Sequence, residues 1–209
     1  DPADTINYVS KHDNQTLWDN SQYRLPFNTS TKNRVRYHNL SLAYVLFGQG
    51  IPFIHMGSEF LRSKSFLRDS YDYGDWFNAI DYKGNSNNYH VGLPPAAKDA
   101  SNWPLIRQVL GGHQGKDKPN TADILLARDV FKDMLAIRTS SPLFSLTSAD
   151  AIVSKVSFLN RPQSIDDSNH QQGLIVMHLN DQKGIAVDPK LAGIMVLFNS
   201  SDQPRLFLY

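Results

Sequence analysis

The chain of 209 residues contains no cysteine, which excludes disulfides and thiolate chemistry and does not choose between the cytoplasm and the exterior. Long apolar runs are also missing. None approaches the ~20 residues a spanning helix needs, and the opening Asp1-Pro2-Ala3-Asp4 offers neither a basic nor an apolar leader, so no membrane segment is expected. Charge of one sign is absent as well. Lys and Arg number 21 against 20 Asp and Glu, a formal +1 without a basic block, so no nucleic-acid partner is expected. No internal repeat, heptad run or low-complexity tract occurs. There is no initiator methionine, a strand-like segment begins within a few residues, and the last residues are the apolar run Leu206-Phe207-Leu208-Tyr209. The sequence therefore reads as an excised fragment. What is present is a soluble, globular composition, 41% hydrophobic, long enough for one domain or one and a half.

The most informative stretch runs from Ile6 to Asp19. A short apolar run breaks into His12-Asp13-Asn14, followed by a polar segment containing Trp18. That order suggests a strand delivering an imidazole, a carboxylate and an amide to its C-terminal end, where the loops of a β/α barrel build active sites. Taken alone, a His-Asp pair after an apolar run is more often a surface turn or a helix start than a catalytic element.

Thr31 to Phe47 is expected to be a helix, with Ser30 or Thr31 as N-cap, Val35, Leu42, Val45 and Leu46 on or near one face, and Gly48 ending it. Ile51 to Met56, bounded by Gly50 and Gly57, is expected to be a buried parallel strand. Strand, helix and strand in this order make a βαβ unit, which many α/β folds share. Residues 62–119 read as a long polar loop whose many aromatics argue against disorder. Residues 121–138 carry apolar residues at mostly helical spacing. Beyond Pro142 the texture changes. Val153 to Phe158, Gly173 to Leu179, Gly193 to Phe198 and Arg205 to Leu208 read as strands of an antiparallel sandwich, with the domain boundary near Leu143.

The opening stretch resembles the last signature motif of the α-amylase superfamily, glycoside hydrolase family 13, in its pullulanase and limit dextrinase form. Gly48 to Glu59 resembles the eighth barrel strand of that family and the turn after it. Leu61 to Asn78 resembles the loop of the debranching subgroup, and Ser140-Ser141-Pro142-Leu143-Phe144 the junction to its C-terminal domain. The resemblance implies an α/β architecture. Residues 1–142 would hold the last two strands and helices of a catalytic (β/α)8 TIM barrel, and residues 143–209 the start of a C-terminal β-sandwich domain.

The implied activity is retaining hydrolysis of α-1,6-glucosidic branch linkages in pullulan, amylopectin or limit dextrins, with an α-glucan as partner. Retaining glycosidases pass through oxocarbenium-like states, so groups beyond the two reacting carboxyls stabilise charge and grip ring hydroxyls. By resemblance Asp13 is the third catalytic carboxylate, the transition-state stabiliser. His12 would donate to a hydroxyl of the same sugar, and Asn14 would order the neighbouring glucose or support the loop. Asp69 is the first candidate for sugar contact in the following loop. Arg62, Arg68 and Asp75 divide evenly between sugar contact and holding the loop by ion pairs, and Trp76 and Phe77 are expected to pack inside it.

The family's nucleophilic Asp and acid/base Glu both precede the opening motif and have no counterpart in this sequence. Glu59 sits in the turn after the eighth strand, with no warrant for an acid/base role, so the fragment alone is expected to be inactive. No cofactor is required, with calcium a candidate in the carboxylate-rich loop. The resemblance favours secretion or the cell surface for a bacterial source and the plastid for a plant one. His38, His55, His90, His113 and His178 lack metal-ligand spacing and read as structural. Alternatives are a non-catalytic α-glucan-binding module, another α-amylase-superfamily activity, and a metal-dependent hydrolase using His12 and Asp13. The last is disfavoured by the lack of further spaced ligands.

Overall fold

The computed structural model describes residues 1–162 and 170–208; Tyr209, at the end of the apolar run, lies outside them. The elements in chain order are β1 (Ile6–Asn7), α1 (Leu17–Arg24), α2 (Thr31–Phe47), β2 (Ile51–Pro52), α3 (Gly74–Asn78), α4 (Ala96–Asp99) and α5 (Trp103–His113). They continue with α6 (Thr121–Thr139), α7 (Ala149–Lys155), β3 (Val156–Phe158), β4 (Leu174–Asn180) and β5 (Gly193–Asn199). The chain divides into two compact units, one of residues 1–7, 44–52 and 134–209, the other of residues 8–43 and 53–133.

The second unit is helical. Its core gathers Trp18 of α1, Val35 of α2, Leu61, Phe66, Tyr89, Ile106 of α5 and Ile124 of α6, all buried. Local chemistry starts the helices. Thr16 Oγ1 accepts from the Asp19 amide at 3.2 Å at the head of α1, and Ser30 Oγ accepts from the Asn33 amide at 3.3 Å, so Ser30 is the cap of α2. Asn120 and Asp123 exchange bonds of 3.0 Å, each side chain accepting from the other's amide, to start α6.

The first unit holds two small sheets. In one, β1 and β2 run parallel with Ile6 opposite Ile51 and Asn7 opposite Pro52. Gly50 precedes β2 with φ of 86°, and a Cβ there would stand 2.7 Å from the Thr5 carbonyl oxygen, so this close approach requires glycine. In the other sheet the order is β3-β4-β5, all antiparallel, with Leu179 of β4 opposite both Val156 and Ile194. A buried ion pair supports it. Lys155 Nζ lies 2.9 Å from Asp181 Oδ1, and the Asp181 carboxylate also accepts from the amides of Val187 and Asp188.

The helices over 31–47 and 121–138 and the strands near 174–179 and 193–198 form where expected. The fold class does not. Among the described residues there is no barrel end: parallel pairing covers two residues per strand, and the chain leaves it at Pro52, whose nitrogen has no hydrogen to donate. Nor is there a sandwich, because the antiparallel region is one three-stranded sheet. Among the described residues the regular structure is chiefly helix, with two small sheets. The supposed loop of residues 62–119 contains α3, α4 and α5. Residues 149–155 are helical because Ser148 Oγ accepts from the Ala151 amide and caps α7, leaving only Val156–Phe158 as strand. Residues 205–208 lie outside the strands.

Candidate functional site

The site is built on a buried carboxylate in the second unit. Asp19, on α1, is fully enclosed, and its oxygens accept from Ser63 Oγ at 2.5 Å, the Lys64 amide at 2.8 Å and the Phe66 amide at 3.2 Å. Burial pushes its carboxyl up, while these donors oppose that shift. They hold the segment in a costly shape, since Ser65 and Phe66 both adopt left-handed backbone, with φ of 49° and 68°. Within that bend lies Lys64, 1% exposed. Its Nζ donates to the His12 carbonyl at 3.0 Å and to the Arg68 carbonyl at 3.1 Å. Burial, with the neighbouring Arg62 guanidinium, pushes its ammonium down to about 8.

Around this anchor opens a cleft of about 730 Å³ lined by Asp13, Asn14, Arg68, Asp69, Tyr71, Lys98 and Asp99. Asp13 presents half of its side chain to solvent and pairs with the Lys11 ammonium; His12 Nε2 stands 3.4 Å from its other oxygen. The Lys11 hydrogen bond holds the Asp13 carboxyl below the usual range, so it is anionic at neutral pH. Asn14 takes left-handed backbone, φ 59°, which asparagine tolerates, and its Oδ1 accepts from Arg68 Nη2 at 3.2 Å. On the other wall Lys98 Nζ lies 2.6 Å from Asp72 Oδ1 and 3.5 Å from Asp69 Oδ2. The same ammonium sits 4.7 Å from the Tyr71 ring centre and 4.8 Å from that of Tyr73. Asp99 is buried, bridging the Arg68 amide and Asn102 Nδ2. Fixed carboxylates, an amide, a guanidinium and the exposed Tyr71 ring therefore converge. Such a set exchanges hydrogen bonds with a polyhydroxylated ligand and offers one apolar face.

Of the residues singled out in the sequence, Asp13, Asn14 and Asp69 are brought together here, with Arg68. His12 contributes its carbonyl to the Lys64 contact, and its side chain is 79% exposed. Arg62 and Asp75 do not line the cleft. Arg62 donates to the carbonyls of Met56 and Asn78 and meets His55 Nε2, holding its own turn. Asp75 lies exposed in the first turn of α3. Trp76 is 65% exposed and does not pack as expected, whereas Phe77 is buried. Asp19, Lys64, Lys98 and Asp99 were missed. The aromatic and carboxylate richness of residues 66–77 signalled the cleft's neighbourhood, but no spacing rule marks a lysine that joins a carbonyl four residues ahead to one 52 residues behind. Among the described residues, no group of three His, Asp or Glu side chains is arranged to hold a metal ion, and no helix is long and apolar enough to cross a membrane.

Residues 84–207 match the family described as α-1,6-glucosidases, pullulanase-type, C-terminal, and the chain belongs to that family. It is 42% identical over 207 residues to the pullulanase of Klebsiella pneumoniae, an alignment covering 98% of this chain and 18% of the relative. To pullulanase 1, chloroplastic, of Arabidopsis thaliana it is 44% identical, covering 100% of this chain and 21% of that protein. The chain thus spans about a fifth of the length of the curated relatives it matches. Among solved structures, the Klebsiella pneumoniae pullulanase complexed with maltotriose superposes with a TM-score of 0.86 at 43% identity, covering 95% of this chain and 18% of that one. The fold is accordingly that of a pullulanase C-terminal region, and the partial barrel read from the sequence gives way to it.

Proposed function

We propose that this chain furnishes one wall of the glucan site of a pullulanase-type hydrolase cleaving α-1,6-glucosidic branch linkages in pullulan, amylopectin or limit dextrins. The reading is carried by the convergence of Asp13, Asn14, Arg68, Asp69 and Tyr71 in one cleft, in a chain of the pullulanase-type family. The maltotriose held by the solved Klebsiella relative supports an α-glucan as ligand.

In this reading Asp13 is a catalytic residue. Its carboxylate is anionic and accessible; its contacts are the Lys11 ammonium and, at 3.4 Å, His12 Nε2, surface pairings worth little in water, so sugar hydroxyls can replace them. As the ring flattens and gathers positive charge, a fixed anion bonded to its hydroxyls is worth more in the transition state than in the ground state. His12 donates to a hydroxyl of the same sugar. Asn14 and Asp69 take hydroxyls of that glucose or its neighbour. The nucleophile and the acid/base come from residues outside this chain, which by itself does not cleave glucan.

The test is Asp13→Asn in the intact enzyme carrying this chain. Turnover of pullulan should fall ~1,000-fold or more with KM nearly unchanged, the pattern of an interaction made in the transition state. Near-normal turnover would remove Asp13 from the chemistry. Reducing sugar released by the chain alone would overturn the assignment of the reacting carboxyls elsewhere. Binding of maltotriose by an intact protein with no hydrolysis of any α-1,6 linkage would leave the non-catalytic module as the correct reading.

A further inference from the structure

Two carboxylates of the cleft, Asp13 and Asp69, belong to loops far apart in sequence, and neither loop is held by regular secondary structure. Catalytic geometry tolerates little slack between such groups: a misplacement near 1 Å costs on the order of 100-fold in rate. Something must therefore set their separation. The residue immediately before Asp13 is His12, and the residue immediately before Asp69 is Arg68. The carbonyls of these two residues are the ones that Lys64 Nζ engages, at 3.0 and 3.1 Å.

We infer that Lys64 is a positioning residue that ties the Asp13 loop to the Asp69 loop through one buried ammonium, fixing the separation of the two sugar-facing carboxylates. The inference rests on the glucan reading above and goes beyond it by naming what holds the site in register. Three observations carry it. The amine is buried against solvent that would compete for its hydrogens. Its two acceptors are backbone atoms, so the tie acts on the main chain and not on a mobile side chain. The lysine's own backbone is pinned independently, by the Asp19 carboxylate on the amides of Lys64 and Phe66 and by the left-handed turn at Ser65 and Phe66. An ammonium on a backbone anchored at its root can transmit that anchor to both loops. The Lys64 ammonium spends its hydrogen bonds on the two carbonyls and acts on Asp13 and Asp69 only through its charge, so the tie itself runs through the backbone.

A lysine serving only general stability would loosen the whole unit when replaced, whereas a tie loosens two named segments together. The experiment compares wild type, Lys64→Met, which keeps the stem and removes the hydrogens, and Lys64→Arg, which restores two donors. Backbone order parameters report residues 11–14 and 67–70, with α6 as an internal reference, and maltotriose affinity is measured on the same proteins. In Lys64→Met both segments should fall together from rigid values near 0.85 toward about 0.6 while α6 stays rigid. Maltotriose affinity should drop about tenfold, and Lys64→Arg should recover most of both changes. Loosening of neither segment, of one alone, or of both without loss of affinity would overturn the inference. If Lys64→Met fails to fold, scalar couplings across the hydrogen bonds from wild-type Lys64 Nζ to the His12 and Arg68 carbonyl carbons, recorded below pH 8, decide the matter. Both couplings present, with partial loss of affinity in Lys64→Arg, support the tie; absence of either coupling overturns it. A wild type that binds no maltotriose yet loosens at both segments in Lys64→Met would refute the glucan reading and leave the tie standing.

Discussion

At the scale of single residues the cleft separates groups open to solvent from groups that hold them in place. Asp13 and Asp69 present more than half of their side chains to solvent, whereas Asp19, Lys64 and Asp99 are enclosed and spend their hydrogen bonds on backbone and neighbouring side chains. This division predicts how substitutions should partition. Asp69→Ala removes an exposed carboxylate whose partner, Lys98, keeps Asp72, so unfolding free energy should change by no more than about 0.5 kcal/mol. Maltooligosaccharide affinity should fall about tenfold, the worth of one charge-assisted hydrogen bond. Titration calorimetry alongside thermal unfolding checks both. A complex with sugar bound and Asp69 sharing no contact with it would contradict the role given to this residue. Asp13, Asn14 and Asp69 were legible in the sequence because each stands in a motif with a recognisable resemblance. Lys64 was not, because its importance lies in which carbonyls the folded chain brings to it.

At the scale of elements, helix ends show where local chemistry sufficed. Helix α2 stops at Phe47, before Gly48, as its sequence implied, yet its C-terminal carbonyls are completed by a residue far downstream. Arg138, in the last turn of α6, donates to the carbonyl oxygens of Leu46 at 2.5 Å, Gly48 at 3.0 Å and Gly50 at 3.1 Å. A guanidinium there satisfies acceptors that the helix leaves open and opposes the negative end of its dipole. Arg138→Met should therefore destabilise by about 2–3 kcal/mol, more than a typical surface change, while leaving glucan affinity unaltered. Chemical denaturation read against maltotriose binding tests this, and a loss below ~0.5 kcal/mol would show those carbonyls to be satisfied by water.

For the whole molecule, acid sensitivity follows from histidines that fold in their neutral form. His38 on α2 is fully buried, with Nε2 donating to the Ser58 carbonyl at 2.7 Å, and burial lowers its pKa from 6.5 to about 4. His55 is lowered to about 4 by burial and by the adjacent Arg62. The unfolded chain takes up protons below pH 6.5 that these folded imidazoles refuse, so their contribution is fully present above 6.5 and is lost as pH falls toward 4. For His38 the loss is roughly 3 kcal/mol across that window. His38→Gln, which keeps a donor for Ser58, should flatten that part of the stability profile between pH 6.5 and 4. An unchanged slope, measured by urea unfolding at successive pH values, would assign the acid sensitivity to other groups.

The long periodic helices α2 and α6 and the alternating strands β4 and β5 were set by the sequence alone, because capping side chains and apolar periodicity act over a few residues and need no partner to be read. The His12-Asp13-Asn14 motif and the aromatic carboxylate loop were legible through their resemblance to family motifs, which are also contiguous in the chain. Tertiary structure decided the rest. Whether Ile51 to Met56 continued as a strand depended on pairing with a distant segment, and that pairing ends at Pro52. The short helices α1, α3 and α4 carry too few residues for periodicity to declare them. In α1 the Thr16 cap is local, but Trp18 and Asp19 are held by contacts with residues 60–89. The walls of the cleft are held by a carboxylate at position 19 and an ammonium at position 64 buried against backbone groups that they bond, a choice made by packing and invisible to any local pattern.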